Sequence, residues 1–457
     1  MLILADDMGY GDPVCYNPQS KMTTPHIDRL AADGIRLLDA HAPGSWCVPS
    51  RYGLLTGRYP ARTTLNWQRR SLIEAGQTTL ASLLKKHGYA TACVGKWHLG
   101  FDSPSDRQTL ETTQRLRGGP VDHGFDYFFG LPASLDIPPY GYIENDRSVA
   151  STTELTPEHQ SPDATTPISG AFWREGRMSP GFQHEEVLPT LTQKALTWLE
   201  THHRRQPDVP FFLYAALTAP HTPWLPAPSV RGKSRAGSYG DFVIQVDQTV
   251  GEITAALNRL AVTDNTLFIF TSDNGPVWFA GDVAKYSHRA AGPWRGMKLD
   301  GWEGGHRIPF VARWPGHIRA GSVRSDLFCF TDLLATFSGI VGAPSTESMA
   351  PDSYNPLPVL LGQKLTQPVR RELLIESRIY RQDNWKYTRG SNAGPLNTRY
   401  GKAPLSSSAT AGELYDLRND PSESHNLYSV YPNRVKAIEQ QLQRYSVQKP
   451  DVSAPSH

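Results

Sequence analysis

The chain has 457 residues, too many for one small core, and usual domain sizes make it one large unit plus a smaller one. Its 46 basic and 44 acidic residues leave a formal charge of +2 and lie scattered, so the sequence offers no nucleic-acid-binding face and the expected partner is a small molecule or a glycan. No apolar run approaches the roughly 18 residues that span a bilayer, and no charged, apolar leader opens the chain; Met1 runs straight into a strand-like segment, so a truncated start is expected.

In chain order, "LILADD" (2–7) reads as a first, fully apolar strand. "TTLASLLKKHGY" (78–89) places Leu80, Leu83 and Leu84 at helical spacing before Gly88, and the strand "ATACVGKWH" (90–98) follows. A helix over 188–203 precedes the strand "FFLYAAL" (211–217), and a helix over 239–260 precedes the strand "TLFIFTS" (266–272). Helices alternating with wholly apolar strands predict an α/β fold with a largely parallel sheet covered on both faces. Two polar stretches, 148–170 and 391–412, read as long surface loops. From about residue 350 the pattern changes: "RELLIES", "NWKYTR" and "GELYDL" read as short strands before an amphipathic helix over 432–446, a smaller α+β unit, and the tail 448–457 reads as frayed. The expected division is 1–349 and 350–457.

The cysteines (Cys15, Cys47, Cys93 and Cys329) form no C-x-x-C pair and no dense framework, so neither a disulfide scaffold nor a structural zinc site is indicated; Cys93 and Cys329, within apolar runs, read as small buried hydrophobes. The absence of any Asn-x-Ser/Thr acceptor disfavours a glycosylated eukaryotic protein.

Reactive side chains recur where strands end. The first strand ends in Asp6 and Asp7, the second runs into Lys96 and His98, the third into His221, and the fourth into Asp273 and Asn274. Each alone is better explained as a turn or cap. Together they would meet on one rim, because open parallel sheets bind ligands beyond the carboxyl ends of their strands. Asp6, Asp7, Asp273 and Asn274 offer only hard oxygen donors, which suit calcium or magnesium, calcium better for an irregular shell. A divalent cation among Lys, Arg and His makes a site for a sulfate or phosphate ester.

"CVPSRYGLLTGR" (47–58) resembles the signature of the formylglycine-dependent sulfatases, and "LADDMGYGD", "TTPHIDRLAADGI", "GKWHLG", "HGFDYFFG", "TAPHTP", "TSDNGP", "GMKLDGWEGGHRIP" and "ELYDLRNDPSESHNL" continue the likeness in the family's order along nearly the whole chain. The resemblance implies an alkaline-phosphatase-like α/β domain with a smaller C-terminal domain on a short antiparallel sheet. It implies that Cys47 is oxidised to formylglycine by a formylglycine-generating or sulfatase-maturing enzyme, and that Asp6, Asp7, Asp273 and Asn274 hold a calcium ion with an oxygen of modified Cys47. It further implies that Arg51 and Lys96 stabilise that group, His98 sits beside it, and His221 and Lys298 contact the sulfate ester. The chemistry suits an aldehyde hydrate: one hydroxyl attacks sulfur, and the other lets the carbonyl re-form and expel sulfate. Asp273 is the expected base for the attack, His221 the acid for the leaving alcohol, and His98 the acceptor of the second hydroxyl's proton. His26 stands where the family usually has Asn; it is expected to cap a helix or turn.

The expected activity is therefore hydrolysis of sulfate monoesters, on a sulfated small molecule or, as first choice, a sulfated carbohydrate, with specificity from the loops at 131–182 and above all from 130–147. The alternatives are a phosphonate monoester or phosphodiester hydrolase of the same superfamily and a non-catalytic glycan-binding relative. The resemblance also implies export to the periplasm or exterior of a bacterium.

Overall fold

The structure, a computed structural model, describes residues 1–68, 70–102, 109–162, 164–343, 349–401 and 411–446. The tail at 448–457 and the 402–410 part of the second polar loop lie outside these residues. Among the described residues, ten strands form one sheet in the order Ser322–Arg324, Ile35–Leu37, Phe310–Arg313, Phe268–Ser272, Leu2–Asp6, Phe211–Pro220, Ala90–Lys96, Tyr127–Leu131, Ile143–Glu144 and Arg147–Ser148. From Phe268–Ser272 to Tyr127–Leu131 every neighbour is parallel, and antiparallel strands flank this centre on both sides.

The central strands are mostly apolar, with their charged residues at the carboxyl ends, because both of their faces are buried. In Leu2–Asp6, Ile3 and Ala5 pack into one core with residues of helices Pro25–Ala32, Val187–Arg205 and Gly237–Arg259. Leu2 and Leu4 pack into the other, with residues of helices Cys47–Thr56, Leu80–Lys86 and Asp332–Ile340. The fold is the expected α/β arrangement, with a separate small antiparallel sheet. That sheet runs Glu372–Ile375, Ile379–Gln382, Trp385–Arg389 and Gly412–Asp416, and helix Pro432–Ser446 covers it with Val435, Ile438 and Leu442. The Ile379–Gln382 strand is additional to the expected three; its Arg381 is buried because it pairs with Asp39 (2.7 Å) of the large unit.

The two polar stretches carry more order than expected. Glu154–Thr156 pairs with Gly176–Met178 as a short ribbon, and Pro395–Tyr400 is a helix. His26 is not itself a cap: it lies in the first turn of Pro25–Ala32, where the Asp247 carboxylate accepts the His26 and Ile27 amides (3.1 and 2.8 Å).

Two glycines take positive-φ conformations that the local geometry requires. Gly57 (φ +66°) ends helix Cys47–Thr56 in the left-handed conformation. Gly95 (φ +127°) precedes Lys96, and a Cβ there would lie 1.8 Å from the Ala216 carbonyl oxygen, so the two strands could not approach as they do.

Candidate active site

The fold brings all the candidate side chains to the carboxyl ends of the central strands. Asp6 ends its strand and Asp7 follows with φ +65°; Lys96 ends the neighbouring Ala90–Lys96 strand and His98 lies two residues on with φ +56°. His221 follows Phe211–Pro220, and Asp273 and Asn274 follow Phe268–Ser272. Non-glycine residues in the left-handed region are uncommon, and here they turn carboxylate and imidazole out of the strand direction. Cys47 opens helix Cys47–Thr56, and Arg51, one turn later, shares its face. Lys298 comes from the loop before helix Glu303–His306.

The charged groups interlock. Lys96 Nζ donates to Asp6 Oδ2 (2.6 Å); Arg51 donates from Nε to Asp273 Oδ2 (3.0 Å) and from Nη1 to the Lys96 carbonyl (2.9 Å), and its Nη2 lies 2.9 Å from the same Asp273 oxygen as an ion pair. Asp7 receives Lys298 Nζ on both oxygens (2.7 and 2.9 Å) and Asn274 Nδ2 on one (2.7 Å). The three carboxylates Asp6, Asp7 and Asp273 thus face three cations, Arg51, Lys96 and Lys298, all of them buried. Burial works against the charge on Asp6, but Lys96, His221 and Arg51 outweigh it and hold its carboxyl below the usual range. Burial and the neighbouring Asp6 push Asp273 the other way, above that range.

Cys47 Sγ lies 3.3 Å from His98 Nδ1, and Ser134 Oγ lies 3.4 Å from the same nitrogen. Burial raises the Cys47 thiol above its ordinary pKa despite Lys96 and Lys298 nearby, so the side chain as encoded is a protonated thiol and a poor nucleophile. Burial, then Lys96, Arg51 and Lys298, hold His98 well below the ordinary imidazole range, so its ring is neutral. His221 Nδ1 lies 2.6 Å from the Thr222 carbonyl and donates to it, and Nε2 lies 3.6 Å from Asp7 Oδ2.

These residues fit a hard divalent cation. Asp6 Oδ1 and Asn274 Oδ1 are buried and have no hydrogen-bond partner, a costly state that an oxygen-coordinated ion would relieve. The carboxylate and cationic charges already balance, so a divalent ion would leave net positive charge for an anion. A second grouping with metal-ligand spacing, His41, Glu303 and His306, does not fit one. Its atoms are spent on each other and on cations: His41 Nδ1 lies 3.0 Å from His306 Nδ1, Lys386 Nζ 3.1 Å from His306 Nε2, and Arg307 2.6 Å from Glu303.

Above the cluster opens a cleft of about 290 Å³. Cys47, His98, His221 and Lys298 lie in its lining, with Trp46, Trp67, Phe172 and Trp224 as aromatic walls. Asp136 and Arg174, paired with each other, also line it; Asp136 Oδ1 is buried without a hydrogen-bond partner, 3.9 Å from His221 Nδ1. Both fall within the loops expected to set specificity, although neither was singled out, because an Asp or Arg in a loop carries no pattern. Leu396, from the C-terminal part, reaches the cleft without any sequence signal. Lys298 Nζ rests on Asp7, and Asp273 accepts the Asp7 amide (3.1 Å) on its other oxygen.

A family model described as Sulfatase matches residues 1–343, and one described as N-sulphoglucosamine sulphohydrolase, C-terminal, matches residues 299–449. The chain is 34% identical to an N-acetylgalactosamine-6-O-sulfatase of Bacteroides thetaiotaomicron over 96% of this chain and 91% of that protein. It is 33% identical to human arylsulfatase A over 99% and 88% of the two chains. Among solved structures, one designated a 6S-sulf, from work on glycosaminoglycan metabolism by Bacteroides thetaiotaomicron, superposes with a TM-score of 0.83 at 32% identity, over 97% of this chain and 98% of the other. A phosphonate monoester hydrolase of Agrobacterium radiobacter shares the fold at 19% identity, with a TM-score of 0.59 over 98% and 95% of the two chains.

Proposed function

The chain belongs to the sulfatase family and is a sulfuric ester hydrolase, and from that premise we propose that it removes a 6-O-sulfate from an N-acetylgalactosamine unit of a sulfated carbohydrate. One observation carries the catalytic part of this reading: Cys47, beside His98, lies in the lining of a cleft shared with His221 and Lys298, above a cluster whose free buried oxygens suit a cation. The named substrates of the bacterial, human and rodent relatives support the choice of sugar. The phosphonate or phosphodiester alternative is not favoured, since the hydrolase of that kind shares only the fold.

Asp6, Asp7, Asp273 and Asn274 would hold calcium, which supplies Lewis acidity, and oxidation of Cys47 to formylglycine by a maturing enzyme would supply an aldehyde hydrate as the nucleophile. Arg51 and Lys96 fix the carboxylates and keep positive charge beneath the residue 47 side chain. Lys298 Nζ, at the cleft wall, offers charge to the sulfate oxygens. His221 Nε2 delivers a proton to the departing sugar oxygen, and neutral His98 takes one at Nδ1. Asp136 Oδ1 accepts a hydrogen bond from a sugar hydroxyl, which relieves its missing partner. Residues 1–349 form the catalytic unit in this reading and 350–457 the smaller one. The enzyme works in the periplasm or outside the cell; among the described residues, no helix is long and apolar enough to cross a membrane.

Two measurements on protein made in a host with a sulfatase-maturing enzyme test the proposal. Mass spectrometry of the peptide containing Cys47 should find the aldehyde. Cys47→Ala should lower sulfate release from 6-O-sulfated N-acetylgalactosamine by more than about 10³-fold, comparable to removing a nucleophile elsewhere. Full activity with an unmodified thiol, or in the alanine variant, would refute it.

A further inference from the structure

Of the four residues that would hold a cation, only Asp7 has a left-handed backbone (φ +65°), a conformation in which a non-glycine residue rests only when its surroundings over-determine it. Three successive amides of the turn are captured by side chains. The Asp7 amide donates to Asp273 Oδ1 (3.1 Å), the Met8 amide to Ser272 Oγ (2.9 Å) and the Gly9 amide to Asp12 Oδ2 (2.6 Å). The first two acceptors sit at the end of the neighbouring strand Phe268–Ser272, which itself delivers Asp273 and Asn274. The third acceptor stands behind the site.

Asp12 closes the "LADDMGYGD" segment and is fully buried, and among the described residues no lysine or arginine pairs with it. Other donors hold it. The Tyr239 hydroxyl (2.5 Å) joins the Gly9 amide on Oδ2, and His288 Nε2 lies 2.8 Å from Oδ1. Tyr239 comes from helix Gly237–Arg259, with its ring against Trp278 (centroids 4.8 Å apart) and Trp224 (5.3 Å), and its hydroxyl oxygen lies 3.3 Å from the Asp7 carbonyl. His288 belongs to the segment onto which the turn is pressed: the Gly11 amide donates to the Ala290 carbonyl (2.6 Å), and a Cβ on Gly9 would lie 2.1 Å from the same oxygen. Asp12 thus ties the Asp7 turn to two elements that supply none of the four candidate ligands.

We propose that Asp12, fixed by Tyr239 and His288, is a positioning residue of the cation site: it holds the Asp7 turn left-handed, keeps the Asp7 carboxylate beside Asn274, and so sets the affinity for a hard divalent ion. This rests on the reading that Asp6, Asp7, Asp273 and Asn274 hold such an ion. Groups that orient a metal's ligands change its affinity by roughly 10–100-fold when they are removed, because the ligand must then be ordered as the ion binds.

Calorimetric titration of calcium into the mature enzyme, first stripped with a chelator, reads this role without turnover. Asp12→Ala should weaken calcium binding by about tenfold or more. Tyr239→Phe keeps the ring against Trp224 and Trp278, removes only the hydroxyl, and should weaken binding in the same direction. Tyr387→Phe is the comparison: it takes a tyrosine hydroxyl away from another carboxylate, that of Glu439 (2.7 Å) in the smaller unit, and should leave the calcium affinity unchanged. Native affinity in Asp12→Ala overturns the proposal; should that variant not fold, native affinity in Tyr239→Phe overturns it. An equal loss in Tyr387→Phe also overturns it, because the effect would then follow from stability alone. If the native enzyme binds neither calcium nor magnesium, the cation reading itself fails and the positioning role with it, whereas native binding with unaltered variants removes only the role of Asp12.

Discussion

His184 illustrates how surroundings set the charge of a single side chain near the cleft wall. Trp173, between Phe172 and Arg174 of the cleft, stacks with His184 (ring centroids 4.6 Å apart) and with His159 (4.2 Å), and Tyr140 meets His184 edge-on at 4.7 Å. Burial, then the neighbouring His159, lowers His184 from an ordinary 6.5 to about 4. The folded state therefore favours the neutral ring. Its contribution is complete above pH 6.5 and is lost as the pH falls toward 4, up to about 3 kcal/mol. Substituting His184→Phe keeps a ring in the stack and removes the titration. Between pH 7 and pH 4.5, thermal melts should show the native protein losing stability relative to this variant; parallel curves would remove His184 as the cause. Nothing in the sequence marks this histidine, because its pKa depends on rings brought together from residues 140, 159, 173 and 184.

At the scale of the element, the helices that frame the site differ in how visible they are. Val187–Arg205 has a buried face and a wet one, and so does the second half of Gly237–Arg259, whose first half (239–247) is buried all round; their length and apolar periods can still be read directly. Cys47–Thr56 has every residue buried, so it shows no amphipathic period and only its motif draws attention. Pro25–Ala32 begins without a side-chain cap of its own and depends on Asp247, 221 residues from His26 in sequence. Asp247→Ala would leave the His26 and Ile27 amides without that acceptor and should cost about 1–2 kcal/mol. Chemical denaturation would measure this, and a change below a few tenths of a kcal/mol would show that water replaces the cap.

Across the whole molecule, the small sheet is tied to the large unit by buried charges. Lys386 bridges Glu303 (3.1 Å) and Glu423 (2.8 Å), all fully buried, while Asp39 binds Arg307 (2.8 Å) and Arg381 (2.7 Å). The same unit braces the catalytic loops. Glu376 accepts the Ser45 hydroxyl (2.7 Å) two residues before Cys47, and Asp300, two residues after Lys298, accepts the Gly394 amide (2.7 Å). Lys386→Met would leave the buried Glu423 without its cation and Glu303 with Arg307 alone, and breaking a buried pair in this way costs about 3–5 kcal/mol. The variant should unfold at lower denaturant and lose activity as the brace loosens; stability within about 1 kcal/mol of the native protein would show that Arg307 or water compensates.

The sequence by itself determined the α/β class, the central strands and the residues at their ends, because wholly apolar strands and charges at their termini are local patterns that survive without a fold. The Cys47 segment and its companion motifs likewise announced the family, since each is contiguous. Only the tertiary structure decided which free oxygens face inward at Asp6 and Asn274, that Lys298 rests on Asp7, and that Asp136, Arg174 and Leu396 enter the cleft. Those outcomes depend on distances between residues far apart in the chain, and a side chain's partner across the fold leaves no trace in its neighbours along the sequence.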